Sequence, residues 1–314
     1  MMNSLYFFTA VYSLLKNRSF IPNRLMTPIR YVIRALADII LSYRLDSIQP
    51  QVKMRIPNMV VSLTSFPERI DNVWKVVKCL KCQECRPEKI ILWLSKLQFP
   101  SEDSIPNNLR KQEDNLFEIR FVDGDIRSHK KYYYAMKEFP ESIIVTVDDD
   151  IYYHPQTITY LIDSSIKYPY SIISNITIRI KYDGEKLLST RKWKGLVPGH
   201  ETRNLVQIGA GGVLYPPHCL DEIVFDMEAL SECAPFSDDL WLNMSSRVAK
   251  TPVIQSNSDI LFLLFNSAPS ALYKSNVHGG GNDIQLNRIR KYLKDHKGYD
   301  PYAFQYVVDY PKSV

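Results

Sequence analysis

Three adjacent carboxylates, Asp148-Asp149-Asp150, follow directly on Ser142-Ile143-Ile144-Val145-Thr146-Val147. The β-branched apolar run is what a strand covered on both faces of a parallel sheet requires. The acids therefore fall at the carboxyl end of a buried strand, where open α/β sheets bind their ligands. Like charges there repel one another unless a cation joins them or the turn is solvated. Oxygen-only donors suit a hard divalent ion, Mg²⁺ or Mn²⁺, of the kind that bridges to a substrate's phosphates. Asp148 and Asp150, two positions apart, can reach the same side of the strand's end. A second acidic pair, Asp238-Asp239, comes 88 residues after Asp150, before an apparent helix opening on Leu240-Trp241. A carboxylate there can accept a proton as a general base, or cap the helix and meet its dipole.

Other candidates lie in loops. Thr64-Ser65-Phe66-Pro67-Glu68-Arg69 follows a strand and has the position of a nucleotide-grasping loop. In it Phe66 can pack on a base and Arg69 can pair with phosphate in a bidentate manner, or bridge to a neighbouring acid. Asp123 and Asp125 end another strand, where they can accept from base or ribose or form an ordinary turn. Lys130 and Lys131 open a helix, and one is expected to face phosphates while the other is solvated. Gly209, Gly211 and Gly212 permit close backbone approach to a sugar ring, or a tight turn. His278-Gly279-Gly280-Gly281 leads into a late helix, whose N–H groups can cradle phosphate.

The elements that must carry these residues alternate. Met59–Thr64, Lys89–Leu94 and Phe117–Val122 read as strands, with a fourth running into the acidic triplet. Helices are expected over Asn72–Cys82 and Ser128–Glu138, then Thr157–Tyr168 and Ile284–Leu293, with strand-like Tyr170–Thr177 and Ile260–Phe265 later. This order predicts an α/β fold, Rossmann-like, with a mostly parallel sheet flanked by helices and right-handed crossovers. Residues 53–314 are expected to form that domain and residues 1–52 a basic amphipathic helical extension.

Composition bounds the rest. A hydrophobic share of 45% and a charged share of 23% are ordinary for a soluble globular enzyme. Of the net charge of +5, the first 50 residues hold +4, from Lys16, Arg18, Arg24, Arg30, Arg34 and Arg44 against Asp38 and Asp46. The near-neutral remainder argues against a nucleic-acid groove. The basic helical extension suggests contact with an anionic membrane surface, or packing on the main domain. Its apolar patch is too short for a bilayer span. Five cysteines, an odd number, fit a reducing compartment better than a disulfide framework. Cys79-x-x-Cys82-x-x-Cys85 lacks a second ligand cluster of zinc-like spacing, which favours a structural role.

Taken together, Val61-Ser62-Leu63-Thr64-Ser65-Phe66-Pro67-Glu68-Arg69-Ile70, Lys130-Lys131-Tyr132-Tyr133-Tyr134-Ala135, Val147–Tyr153, Gly211–Pro217 and Asp238-Asp239-Leu240-Trp241 carry a resemblance. The chain resembles GT-A-fold glycosyltransferases, most closely the bacterial group that builds capsular polysaccharide or lipopolysaccharide O-chains. The resemblance spans about residues 58–290. It implies a metal-dependent transfer of one sugar from a nucleotide-sugar donor, a UDP-sugar foremost, to a glycan or lipid-linked acceptor. Mn²⁺ or Mg²⁺ would be held by Asp150 through the DxD motif, with Asp148 on the ribose or sharing the metal through water, and Asp149 secondary. A late His often completes the metal shell in such enzymes, which makes His278 a candidate ligand. Asp239, then Asp238, would be the base of an inverting displacement. The implied location is the cytoplasm or the inner face of the plasma membrane. No Gln/Arg-x-x-Arg-Trp segment of processive synthases is present, which argues for single-sugar transfer. Competing readings are a retaining transferase, a nucleotidyltransferase or phosphatase, and a non-catalytic carbohydrate-binding protein.

Overall fold

A computed structural model describes residues 4–17, 23–195, 204–258, 263–265 and 279–308. Seven strands build the central sheet: β1 (Met59–Thr64), β2 (Lys89–Ser95), β3 (Phe117–Val122), β4 (Ile143–Thr146), β5 (Ile172–Ser174), β6 (Val213–Tyr215) and β7 (Val253–Gln255). Their spatial order is β7-β5-β6-β4-β1-β2-β3. β1 pairs in parallel with both β2 and β4, in the registers Val61↔Ile90 and Val61↔Val145. β6 alone runs antiparallel to its neighbours β4 and β5. The mostly parallel, helix-flanked sheet is the α/β architecture that the strand–helix alternation demands.

From β1 the chain proceeds outward through β2 to β3, then returns to place β4 on the other side of β1. That reversal opens a crevice at the carboxyl ends of β1 and β4, the switch point where such sheets take ligands. The loop at Ser65–Arg69 and the acidic triplet leave the sheet on either side of it.

Helices cover both faces: α1 (Ser4–Asn17), α2 (Asn23–Arg44), α3 (Ile70–Lys81), α4 (Lys130–Glu138), α5 (Thr157–Lys167), α6 (Met227–Cys233), α7 (Asp238–Val248) and α8 (Gly281–Lys297). One hydrophobic cluster joins Leu5 and Phe8 of α1 and Ala37 and Leu41 of α2 to Val61, Val73, Val77 and Val145. A second gathers α6, α7 and α8 around Trp241, Tyr215 and Leu286. The three clustered cysteines are spent inside: Cys79, Cys82 and Cys85 are all buried. Burial drives the Cys79 thiol well above its ordinary range and Cys82 to about 11, so neither offers a thiolate at neutral pH.

Three elements differ from their sequence patterns for identifiable reasons. The expected strand Tyr170–Thr177 breaks after Ser174, where the buried Asn175 amide donates to the Thr157 and Gly211 carbonyls, each at 3.0 Å. The chain then joins a three-stranded sheet at Thr177–Arg179. α8 runs on to Lys297, past the last apolar residue Leu293. Its final turn is polar and basic, which the helix dipole favours and apolar periodicity does not reveal. Of the expected strand Ile260–Phe265, residues 263–265 are described, and Leu263–Leu264 pairs antiparallel with Ile151–Tyr152.

Candidate active site

At the switch point the acidic triplet turns away from β4 with each carboxylate separately held. Asp149 is buried; its Oδ2 accepts from the Ser65 hydroxyl at 2.6 Å and its Oδ1 from Arg69 at 2.6 Å. Arg69 also lies 3.0 Å from Asp150 Oδ2 and stacks over the Phe66 ring at 5.2 Å. Asp148 points the other way, accepting from Lys131 Nζ at 2.6 Å. Its backbone N–H donates to Tyr153 Oη at 2.8 Å, which fixes the turn.

Lys131 is where the two acidic runs meet. Its ammonium, almost wholly buried, lies 2.6 Å from Asp148 and 2.8 Å from Asp238 Oδ2. Burial works against its charge, but Asp148, Asp238 and Asp239 outweigh that and hold it well above the ordinary lysine value. Asp238 and Asp239 form the first turn of α7, where a helix N-terminus favours negative charge. The two titrate as a coupled pair driven apart. Burial, then the charge of Asp238, raises Asp239 far above a normal carboxyl. Asp238 stays low, because the Lys131 charge and hydrogen bonds from Lys131 and Ser128 outweigh its own burial.

Gly209 closes the knot from above. Its N–H donates to Asp239 Oδ1 at 3.0 Å. A Cβ at this position would stand 3.0 Å from Lys131 Nζ and 3.3 Å from both Asp148 Oδ1 and Asp239 Oδ1. A methyl group here would press on three charged atoms, each of which must give by a few tenths of an ångström. Gly209→Ala is expected to cost about 1–3 kcal/mol by overpacking and up to roughly 10²-fold in turnover by displacing the ammonium. Thermal melts and rate measurements on the same preparation check both figures.

Five carboxylates here face two cations, Arg69 and Lys131. Besides Asp239, the deficit is felt at Asp150, whose pKa is raised to about 6 by burial, against Arg69 and with help from Asp148 and Asp149. Oxygen donors, excess negative charge and partial exposure of Asp148 (31%) and Asp150 (20%) suit a hard divalent cation. Among the described residues no group of three His, Cys, Asp or Glu is arranged to hold a metal by itself. The fit is therefore to an ion bound by one or two carboxylates and completed by water and phosphate oxygens, as Mg²⁺ commonly is. His278 lies outside the described residues.

The charge deficit has a consequence for stability. A carboxyl whose folded value is raised contributes stability fully present below its unfolded value and lost as pH rises through the folded one. For Asp150 that window runs from about 4 to about 6. Asp150→Asn is thus expected to raise stability at pH 7 by up to about 3 kcal/mol. The gain should vanish near pH 4, read as the variant's Tm difference across pH.

The residues singled out from sequence divide into those that meet here and those that do not. Ser65, Arg69, Lys131, Asp148, Asp149, Asp150, Asp238 and Asp239 form one connected network. Arg69 takes the bridging alternative, bound to acids. Neither lysine is solvated: Lys130 is buried too, paired with Asp125 and lowered in pKa by burial. Asp123 is solvent-exposed beside Lys96 at 2.9 Å. The Thr64 hydroxyl donates to the Trp93 carbonyl at 2.8 Å, a bond within the sheet. Gly211 packs its backbone against Ile176, and Gly212, at φ +85°, turns the chain into β6 beside Thr157.

Two residues of this network are not among the sequence's site candidates, although Tyr153 ends the Val147–Tyr153 stretch. Tyr153 holds the Asp148 backbone, as above. His129, fully buried, donates from Nε2 to the Ala234 carbonyl at 2.8 Å and accepts at Nδ1 from Tyr132 Oη at 3.0 Å. A carbonyl only accepts, so Nε2 carries the proton; burial lowers the ring to about 4, so it is neutral. Its position just before Lys130-Lys131 was the available hint.

No protein-family model matches the chain, and no curated protein does. Among solved structures, UTP-bound UGPase from Acinetobacter baumannii superposes with a TM-score of 0.42 at 11% identity, over 83% of this chain and all of that one. The mannosyltransferase PcManGT from Pyrobaculum calidifontis, in complex with GDP-Man and Mn²⁺, gives 0.41 at 12%, over 94% and 78%. HddC from Yersinia pseudotuberculosis, complexed with GMP-PN, gives 0.39 at 14%, over 70% and 98%. Likeness this distant says nothing of substrate or chemistry, and what those proteins bind is a property of those proteins.

Proposed function

We propose that the chain is a glycosyltransferase moving one sugar from a nucleotide-sugar donor to a glycan or lipid-linked acceptor in bacterial surface polysaccharide synthesis. The observation that supports this reading best is the convergence of Asp148 and Asp238-Asp239 on one buried lysine at the sheet's switch point. One run of acids suits the leaving diphosphate and the other the incoming hydroxyl.

In the inverting form we favour, the acceptor hydroxyl oxygen bonds to the anomeric carbon as the bond from that carbon to the diphosphate oxygen breaks. The electron pair leaves with the nucleoside diphosphate, and the hydroxyl proton passes to the Asp239 carboxylate. A divalent cation held at Asp150 and Asp148 would supply Lewis-acid stabilisation of the departing diphosphate. Asp239 is suited to its part because its raised proton affinity approaches working pH, where a general base is most effective. Gly209 N–H fixes one of its oxygens, and Lys131 keeps Asp238 ionised beside it. Asp149 acts indirectly, by clamping the β1 loop through Ser65 and Arg69. We place the reaction at the cytoplasmic face of the plasma membrane, with residues 1–50 toward the bilayer.

A screen of UDP-, GDP- and CMP-sugars with Mn²⁺ or Mg²⁺ tests the reading by released nucleotide. One donor class is expected to be turned over, with inverted configuration when an acceptor is supplied. Release of nucleotide from none of them, or conversion of a donor to nucleoside triphosphate by added pyrophosphate, would overturn it.

A further inference from the structure

The helix α2 buries one apolar stripe, Met26, Ala37 and Leu41, and turns Arg34 and Asp38 toward the protein beside it. Arg34 donates to the Leu264 and Phe265 carbonyls, and Asp38 accepts from Tyr152 Oη at 2.7 Å and lies 3.7 Å from Lys75 Nζ. A second apolar face looks outward: Ile29, Val32, Leu36, Ile39 and Tyr43 are 46%, 58%, 47%, 58% and 85% exposed. The half-buried Ile33 and Ile40 border this face and pack on the core. Between Thr27 and Tyr43 no charged side chain is exposed. Phe7 of α1 is exposed as well.

We propose that this face of α2 lies in the interface of an anionic lipid bilayer. A monomeric soluble chain seldom leaves so continuous an apolar surface in water. Charge complementarity selects the occupant. The first 50 residues hold six basic side chains against two acidic ones; Arg34 turns inward, while Arg44, exposed, stands at the C-terminal end of the stripe. An interfacial helix has this make-up: a strong apolar face, low overall hydrophobicity, basic flanks and aromatic hydroxyls, here Tyr31 and Tyr43, at the polar boundary. No described helix is long and apolar enough to cross the membrane.

The helix is wired to the site. Arg34 binds the Phe265 carbonyl, and the Phe265 N–H donates to the Asp150 carbonyl at 2.9 Å. Asp38 holds Tyr152, two residues beyond Asp150. A bilayer under α2 would therefore lie a few bonds from the candidate diphosphate position, where a lipid-linked acceptor must arrive.

The test needs neither donor nor turnover. Full-length protein is mixed with vesicles of phosphatidylglycerol and phosphatidylethanolamine, or of phosphatidylcholine alone, and bound fractions are measured by sedimentation. Binding is expected to the anionic vesicles and to weaken with salt. In the double variant Leu36→Glu and Ile39→Glu it should fall at least tenfold, with an unchanged circular dichroism spectrum and unchanged Tm. The milder Ile39→Ser, expected to weaken binding less, covers the case in which the double variant does not fold. Wild-type protein that leaves anionic vesicles unbound would overturn the proposal. So would a solution dimer that competes with vesicles and is dissolved by the same substitutions, which would assign the face to a second copy.

Discussion

Asp239→Asn is expected to lower transfer by roughly 10²–10⁴-fold, the range a positioned general base supplies, while donor affinity stays within a few-fold. The asymmetry follows from where the residue sits. Asp239 is held by the Gly209 N–H and the start of α7, whereas Asp150 pairs with Arg69. Its amide replacement keeps size and the Gly209 contact but cannot take a proton. Donor affinity is read by calorimetry with the nucleotide diphosphate, and turnover by released nucleotide. Equal loss in both would remove Asp239 from the proton-accepting role. The wild-type pH profile provides an independent reading. The carboxyl must be ionised to act, and burial with Asp238 beside it raises its pKa. The rate should therefore rise with pH through neutrality, along a limb missing from Asp239→Asn. Near-normal turnover in the variant across pH would sink the assignment.

How much of this was legible beforehand depended on whether the chemistry was local in sequence. Phe117–Val122, at the sheet's edge, shows the alternation of apolar residues with Glu118 and Arg120. Met59–Thr64 instead emerges with the bounds its apolar run suggests, because a strand buried on both faces leaves no other pattern. The acids after β4 were legible for the same reason: a buried strand must end somewhere, and its end faces the crevice. What could not be read is pairing at a distance. The meeting of Asp148 with Asp238 requires β6 to insert antiparallel beside β4, carrying Gly209 to the crevice, and nothing in residues 208–215 announces that direction. The assignment of Lys130 to Asp125 and of Lys131 to the acid pairs follows from helical rotation. Adjacent residues on α4 point about 100° apart, and only the packed sheet says which way. The first turn of α7 shows how two readings can share residues: Asp238-Asp239 meets the helix dipole, and the same turn delivers the pair to Lys131.

Lys131→Met is expected to cost about 3–5 kcal/mol at neutral pH, the usual effect of removing one partner from a buried charge pair. Methionine fills much of the lysine stem's volume, so the loss isolates the charge. Its pH dependence distinguishes that cause from packing. In the wild type Lys131 keeps Asp238 ionised to low pH, so Asp238 contributes stability above its unfolded value near 4. That contribution is lost as pH falls through the lowered folded value. In the variant Asp148, Asp238 and Asp239 face one another without the ammonium, and all three should hold protons more tightly folded than unfolded. Their repulsion then subtracts stability at neutral pH and disappears on acidification. The gap between wild type and variant should therefore be widest near neutral pH, shrink down to about pH 4 as the variant's acids take up protons, and close further below it as the wild-type Asp238 is protonated. Urea denaturation at a series of pH values measures it directly, and a gap independent of pH would mean that Lys131 acts through its methylene stem alone. Divalent cation gives the complementary reading. If the acids were selected to carry more positive charge than the protein supplies, Mn²⁺ should stabilise Lys131→Met more than wild type, and Asp150→Asn less. A lysine that neutralises only part of the acid it is buried in leaves the remainder for a ligand to satisfy.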